Sequence, residues 1–129
     1  MKRNLFYFLF LLLFCACNDA GNKDIDKDND ASNDLDAAHN FIQSSLQGKF
    51  DIARNYMLQD DENISRLDAV SRLEKSVSEK QGLWDATIKI HHRNLVNDST
   101  SIIAYANSFH PENIDTLKVV KHDGKWLVD

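Results

Sequence analysis

Apolar residues recur every three or four positions in the segment that begins at Asp34, which is the spacing of an amphipathic helix. Asp34 is a suitable N-cap for this helix, and Gly48 is a suitable stop. A shorter second helix is predicted from an N-cap at Asp51, and a third ends before Gly82. The polar run 59–62 is predicted to be a loop. The apolar positions of the three helices are Leu35, Ala38, Phe41, Ile42 and Leu46, then Ile52, Ala53, Tyr56 and Met57, then Ile64, Leu67, Val70, Leu73 and Val77.

From Trp84 onward apolar and polar residues alternate, which is typical of a strand covered on one face. Asn97-Asp98 predicts a turn into a second strand, and the only proline, Pro111, lies in a predicted loop. Asp123-Gly124 can adopt the positive φ angles of a tight hairpin. The four predicted strands are residues 84–91, 101–106, 114–121 and 125–128. Three helices followed by about four antiparallel strands predict an α+β domain with its helices packed on one face of the sheet.

The chain opens with a short basic segment, Met1–Asn4, and ten uninterrupted apolar residues, Leu5–Phe14. A helix of ten residues rises about 15 Å, which is half of a hydrocarbon core of about 30 Å. The apolar run is therefore too short to span a membrane. A basic start followed by an apolar run of this length is typical of a cleaved signal peptide.

The residues that follow, Cys15-Ala16-Cys17, resemble the lipobox of bacterial lipoproteins, in which a small residue precedes a Cys that receives diacylglycerol. Ala16 supplies the small residue before Cys17, whereas Cys15 would follow the bulky Phe14, which stands where the lipobox usually has Leu. No other Cys occurs, so a disulfide within the mature chain is excluded. The resemblance implies a signal peptide at 1–16, a lipid on Cys17 and anchoring outside the cytoplasm, in the outer membrane and facing the periplasm or the surface. Ordinary cleavage and release is the alternative.

Residues 17–33 comprise Cys17 and a polar segment whose single large apolar residue is Ile25. Such a segment cannot bury enough apolar surface to offset its ordering entropy, so we expect a disordered acidic tether. Without Lys2 and Arg3 the chain has 13 basic and 20 acidic residues, a net charge of about −7. This charge disfavours nucleic acid as a partner. Residues 34–129 have the length of one domain.

Two motifs in this domain carry a second resemblance. The helix pair within Ala38–Ala53, and a sheet that closes on Leu117–Val128 with its Asp-Gly-Lys-Trp turn, are similar to the nuclear-transport-factor-2-like superfamily. More narrowly, they resemble its small lipoproteins of unknown function from Bacteroidota, often described as lumazine-binding-like. The resemblance implies a cone, in which a strongly curved sheet wraps around the helices and leaves a pocket at its open end. It also implies that a homodimer through the sheet face is an option, and it brings no catalytic residue.

Histidines and carboxylates are the candidate metal ligands, but their spacing disfavours a metal site. Adjacent strand residues point to opposite faces, so His91 and His92 cannot bind one ion together, although either could pair with His110. The acidic run Asp60–Glu62 lacks the alternate spacing and the turn glycine of a calcium loop. No metal ion and no cofactor is therefore predicted.

Acid–base catalysis needs a titratable group inside an apolar cavity. In enzymes of the superfamily that this chain resembles, an Asp or His moves a proton beside a Tyr, and the counterparts here would be Asp85, His91 and Tyr56. Alternation places Asp85 and His91 opposite the apolar face that includes Ile88. We therefore expect no enzymatic activity.

Four aromatic residues are candidates for lining a pocket, with core packing as the alternative use: Tyr56, Trp84, Tyr105 and Trp126. The sequence favours a lipid-anchored protein of the cell envelope whose non-catalytic domain binds a small molecule or an envelope protein. Two alternatives stay open. One is a dehydratase, isomerase or hydrolase acting in the cone pocket, and the other is an immunity-type or structural protein with a filled core.

Overall fold

The computed structural model of the protein describes residues 33–129, in which four helices precede a four-stranded sheet. The predicted signal peptide, Cys17 and the rest of the tether up to residue 32 lie outside the described residues. None of the helices within 33–129 is long and apolar enough to cross a membrane. The elements are α1 (Asp34–Leu46), α2 (Phe50–Ala53) with a 3₁₀ turn (Arg54–Tyr56), α3 (Asp61–Ser71), α4 (Val77–Trp84), β1 (Ile88–Asn97), β2 (Thr100–Asn107), β3 (His110–His122) and β4 (Lys125–Val128).

Helix α1 begins one residue earlier than the sequence predicted. Asn33, and not Asp34, is its N-cap, because the Asn33 side chain accepts a hydrogen bond of 2.9 Å from the backbone N–H of Asp36. At the other end Gly48 has a φ of 70°, and the backbone N–H of Lys49 donates to the carbonyl of Ser44 at 2.8 Å. The glycine stop was thus predicted correctly, since this left-handed conformation is accessible to Gly without steric cost.

The acidic run Asp60–Glu62 is not a loop, as the sequence suggested, but the start of α3. Asp60 is the N-cap and accepts a hydrogen bond of 2.8 Å from the backbone N–H of Asn63. Asp61 and Glu62 lie in the first turn, where carboxylates interact favourably with the positive end of the helix dipole.

The predicted third helix is two helices. Residues 72–76 break it, and Ser76 caps α4 by accepting a hydrogen bond of 3.2 Å from the backbone N–H of Glu79. Helix α4 continues through Gly82, which the sequence had placed after the helix, and it ends at Trp84, which the sequence had placed on a strand. The first strand therefore starts only at Ile88.

The strands form one antiparallel sheet in the order β1-β2-β3-β4, which confirms the α+β prediction. Asp123 and Gly124 have φ angles of 50° and 79°, so the predicted hairpin between β3 and β4 is correct. Pro111 lies within β3 and not in a loop. It occupies a stretch between His110 and Asp115 where the register with β2 shifts, and such irregular pairing tolerates a residue without an N–H group.

Helix α1 packs on the inner face of the sheet, and the core lies between them. Ala37 and Ala38 have no exposed surface, so the absence of long side chains lets the helix approach the strands closely. The core residues are Ala37, Ala38, Ile42, Ala53, Met57, Leu67, Ile103, Val119 and Val128. Residues 33–129 thus contain one continuous core, which is the property expected of a segment that folds as a domain.

An ion pair joins the start of α1 to the edge strand β1. Arg93 donates from Nε to Asp34 Oδ2 and from Nη2 to Asp34 Oδ1, each at 2.7 Å. Burial by itself would raise the pKa of the Asp34 carboxyl, but the hydrogen bonds and the positive charge of Arg93 hold that pKa below its ordinary value. The carboxylate that the sequence assigned to a cap therefore fixes the helix to the sheet.

Candidate functional site

A cavity of about 420 Å³ lies between α1, α3 and the inner face of the sheet. Its apolar lining consists of Phe41, Met57, Leu67, Val70, Leu117 and Val128, and its polar lining of Ser45, Asn63, Arg66, Tyr105, Asp115 and Asp129. This volume falls within the range of small-molecule sites in proteins. We call it the cone cavity.

The cavity exists because α1 packs directly on the sheet, whereas α3 does not. The main contacts of α3 are with α2, and those of α1 are with α2, β3 and β4. Met57, which precedes α3, forms an isolated parallel bridge with Val128, and the N–H of Leu58 donates to the carbonyl of Val128 at 2.8 Å. The chain is thereby held to β4 just before α3 begins, and the side chains of α3 form the opposite wall.

Tyr105 and Asp115 are direct neighbours across β2 and β3, and both line the cavity. Burial raises the pKa of the Tyr105 hydroxyl, and the charge of Asp115 raises it further. The phenol therefore stays protonated at neutral pH and can donate a hydrogen bond to a ligand. The carboxylate of the neighbouring Asp115 is exposed and can accept a hydrogen bond from a ligand.

The polar rim beside α3 is held by a hydrogen-bonded network. Asn63 Nδ2 donates to Asp60 Oδ2 at 3.0 Å and to Asp129 Oδ1 at 3.2 Å, and Lys118 Nζ donates to Asp129 Oδ2 at 2.9 Å. The hydrogen bonds from Lys118 and Asn63 lower the pKa of the Asp129 carboxyl. This network joins the start of α3 to β3 and so positions the polar rim.

The four predicted pocket aromatics do not meet in one place. Tyr105 lines the cone cavity, and Trp84 lines a separate cavity next to α4. Tyr56 and Trp126 line neither, and Trp126 packs partly buried against the core. Trp84 lines that separate cavity because it ends α4 and does not stand on a strand.

Asp85 and His91, the residues weighed for proton transfer, are exposed and line neither of these two cavities. Asp85 accepts a hydrogen bond of 2.7 Å from Gln81, and His91 lies at a β-bulge between Ile90 and His92. Within residues 33–129 no three His, Asp or Glu side chains are grouped as ligands for a metal ion.

Sequence reasoning missed Asp115 as a cavity residue, although the alternation of its strand contained the signal. Asp115, Leu117 and Val119 are spaced by two, so a buried Val119 places Asp115 on the inner face. Asn63 and Asp129 could not be found in this way, because a hydrogen bond between residues 66 positions apart depends on the tertiary fold.

No family model and no curated protein matches this chain. Among solved structures it is similar to a Campylobacter jejuni protein that is provisionally described as an NTF2-like transpeptidase, where NTF2 stands for nuclear transport factor 2. That match has 20% identity and a TM-score of 0.51, and it covers 74% of this chain and 96% of that chain. An NTF2-like protein of unknown function from Shewanella oneidensis MR-1 matches with 12% identity and a TM-score of 0.52, covering 73% and 89%. The domain therefore has the NTF2-like α+β fold that the sequence predicted.

Proposed function

We propose that this domain binds an apolar small molecule in the cone cavity and is anchored to the cell envelope through a lipid on Cys17. The observation that carries the binding function is the cavity itself, which has a volume of about 420 Å³ and six apolar side chains in its lining. A cavity of this kind with a few convergent polar groups is the usual form of a small-molecule site.

The lining also indicates the chemistry of the ligand. Phe41, Leu67 and Leu117 offer an apolar surface for the body of the molecule. At the end of the cavity between Tyr105 and Asp115, the phenol donates and the carboxylate accepts. An apolar molecule with one hydroxyl or amino group that can bond both residues fits this arrangement best.

A cone-pocket enzyme is the second candidate, and the neighbouring Tyr105 and Asp115 are the observation that favours it. A general base in such an enzyme is tuned by enclosure in an apolar cavity. Asp115 is exposed and does not have that enclosure, which favours binding over proton transfer.

The lipid anchor rests on the sequence, namely the basic start, the apolar run Leu5–Phe14 and Ala16 before Cys17. A lipid at Cys17 and a polar tether up to residue 33 would hold the cavity outside the cytoplasm, close to a membrane. A membrane is a source of apolar small molecules, so the anchor and the cavity support one function.

The test is to purify the segment 33–129 from its native host and to identify co-purifying small molecules by mass spectrometry. Val70→Trp places a large ring at the cavity wall, whereas Val77→Trp, at an 86% exposed position of α4 outside the cavity, is the matched control. We expect the ligand to be lost from Val70→Trp and kept by Val77→Trp. An empty wild-type protein whose melting temperature no metabolite raises would contradict the proposal.

A further inference from the structure

A second cavity of about 420 Å³ lies at the C-terminal end of α1. It is formed by the last residues of α1, the start of α2, the end of α3 and the connection to α4, and α4 itself. Only Ser45 is common to the linings of this cavity and the cone cavity. We call it the lysine cavity, after Lys75 and Lys80 in its lining.

The lysine cavity has an apolar floor that is open to solvent. Leu46, Phe50, Leu83 and Trp84 contribute to it, together with Leu73. Leu73 is 63% exposed and Trp84 is 44% exposed, although both are large apolar side chains. Contiguous exposed apolar surface at a concave site is typical of a place that receives an apolar group.

The charge around this floor is positive, in contrast to the domain as a whole. Residues 33–129 contain 11 basic and 15 acidic residues. The lining nevertheless includes Lys75 and Lys80 and no Asp or Glu, and the ammonium of Lys49 lies 4.6 Å from the ring centroid of Trp84. Lys75 and Lys80 therefore line the same cavity as Trp84, and Lys49 adds a third positive charge at the Trp84 ring.

These lysines are not used elsewhere in the part of the chain that the structure describes. There, Lys49, Lys75 and Lys80 form no ion pair within 4.0 Å. They are also not needed to cap α1, because its last turn already receives backbone N–H groups: Gln47 donates to Gln43, Gly48 to Ser45 and Lys49 to Ser44.

We propose that the lysine cavity binds a small organic acid with an apolar body. The apolar part would lie on Leu73, Leu83 and Trp84, and the carboxylate would lie between the ammonium groups of Lys75 and Lys80. Burial of the apolar part supplies most of the affinity, and the two lysines select the negative charge. This site is independent of the ligand proposed for the cone cavity.

The protein contains two tryptophans, and this makes the proposal directly testable by NMR. In the ¹⁵N-labelled segment 33–129 each indole N–H gives one signal, which Trp84→Phe and Trp126→Phe assign. Trp126 lies beside Lys121, whose ammonium is 6.0 Å from its ring centroid, but it is outside the lysine cavity. It therefore serves as an internal control with similar local chemistry.

Dodecanoate, kept below its micellar concentration, should move the Trp84 signal saturably and leave the Trp126 signal in place. Dodecyltrimethylammonium has the same chain with the opposite charge, and inorganic phosphate has the charge without the chain. Neither should reproduce the shift. An equal effect of the ammonium compound or of phosphate, or no saturable shift with dodecanoate, would overturn the proposal.

The double substitution Lys75→Gln with Lys80→Gln should weaken dodecanoate binding about three- to tenfold, as expected for two partly exposed charge contacts. The matched control is Lys121→Gln with Lys125→Gln, which removes the same charge from the β3–β4 hairpin and should leave the affinity unchanged. Equal weakening by both pairs would show a general charge effect and contradict the assignment of the site.

Discussion

Arg93 holds the carboxylate of Asp34 through two hydrogen bonds of 2.7 Å, between residues 59 positions apart in the chain. The Asp34 side chain is 1% exposed and the Arg93 side chain 39% exposed. The edge strand β1 is otherwise mostly exposed, so this pair is a principal link between β1 and α1.

Substitution Asp34→Asn should lower the free energy of unfolding by roughly 2 kcal/mol, because a buried charged partner of Arg93 is lost. The control is Asp61→Asn, which removes a carboxylate from the same first position of a helix but from an exposed side chain. Urea unfolding at pH 7 measures both. Equal effects would mean that Asp34 stabilises the fold through its interaction with the helix dipole and not through the ion pair with Arg93.

The same pair predicts a loss of stability in acid. The pKa of the Asp34 carboxyl is lowered in the folded protein, so the unfolded chain takes up a proton at higher pH than the folded one. The contribution of the ionised Asp34 carboxyl to the free energy of unfolding is fully present well above pH 3.8 and is lost as the pH falls below 3.8. Unfolding midpoints of wild type and Asp34→Asn should therefore converge between pH 5 and roughly pH 2; a constant difference would contradict this.

Gly82 in α4 is in close contact with the ring of Phe109 in the turn between β2 and β3. A Cβ atom at position 82 would overlap Phe109 Cε2, so Gly82→Ala must displace the ring. We expect Gly82→Ala to be destabilising in the wild type, but stabilising by up to about 1 kcal/mol in a Phe109→Ala background, where helix propensity alone remains. Thermal unfolding of the wild type, the two single variants and the double variant measures this coupling, and additivity would show that the contact is unimportant.

Tyr105 predicts a loss of stability in alkali. Burial raises the pKa of its hydroxyl above 10.0, so the unfolded chain loses this proton first as the pH rises. The contribution of the protonated Tyr105 hydroxyl to the free energy of unfolding is present below pH 10.0 and is lost above it. Between pH 9 and roughly pH 11, Tyr105→Phe should lose less stability than Tyr56→Phe, which keeps the Tyr105 phenol. Identical pH profiles of the two variants would argue against a buried Tyr105.

Cys17 is the residue on which the proposed anchor depends. Expression of the full chain with radioactive palmitate in its host should label the wild type, and Cys17→Ser should remove the label. The control is Cys15→Ser, which keeps Ala16 before Cys17 and should be labelled normally. Label that persists in Cys17→Ser would show that the lipid is attached elsewhere or that lipobox processing does not occur.

The order of elements followed from short-range chemistry. Helical spacing in the first half of the domain and alternation in the second half determine which side chains share a face, and both periods are properties of the local backbone. The same holds for Gly48 and for Asp123-Gly124, whose positive φ angles depend on residue type. The sequence therefore determined the α+β class, the stop of α1 and the β3–β4 hairpin. The proposed lipidation of Cys17 likewise rests on a local pattern.

Tertiary packing decided what local pattern could not. The apolar alternation at Trp84 was compatible with a strand, but Trp84 ends a helix and lines the lysine cavity together with Leu46 and Phe50. Asp34 is a residue type suited to a helix cap, yet its buried carboxylate pairs instead with Arg93 from a distant strand. Both outcomes depend on which segments meet in space. A cavity is the space that packing leaves between them, so its position was fixed only when α1, α3 and the sheet came together.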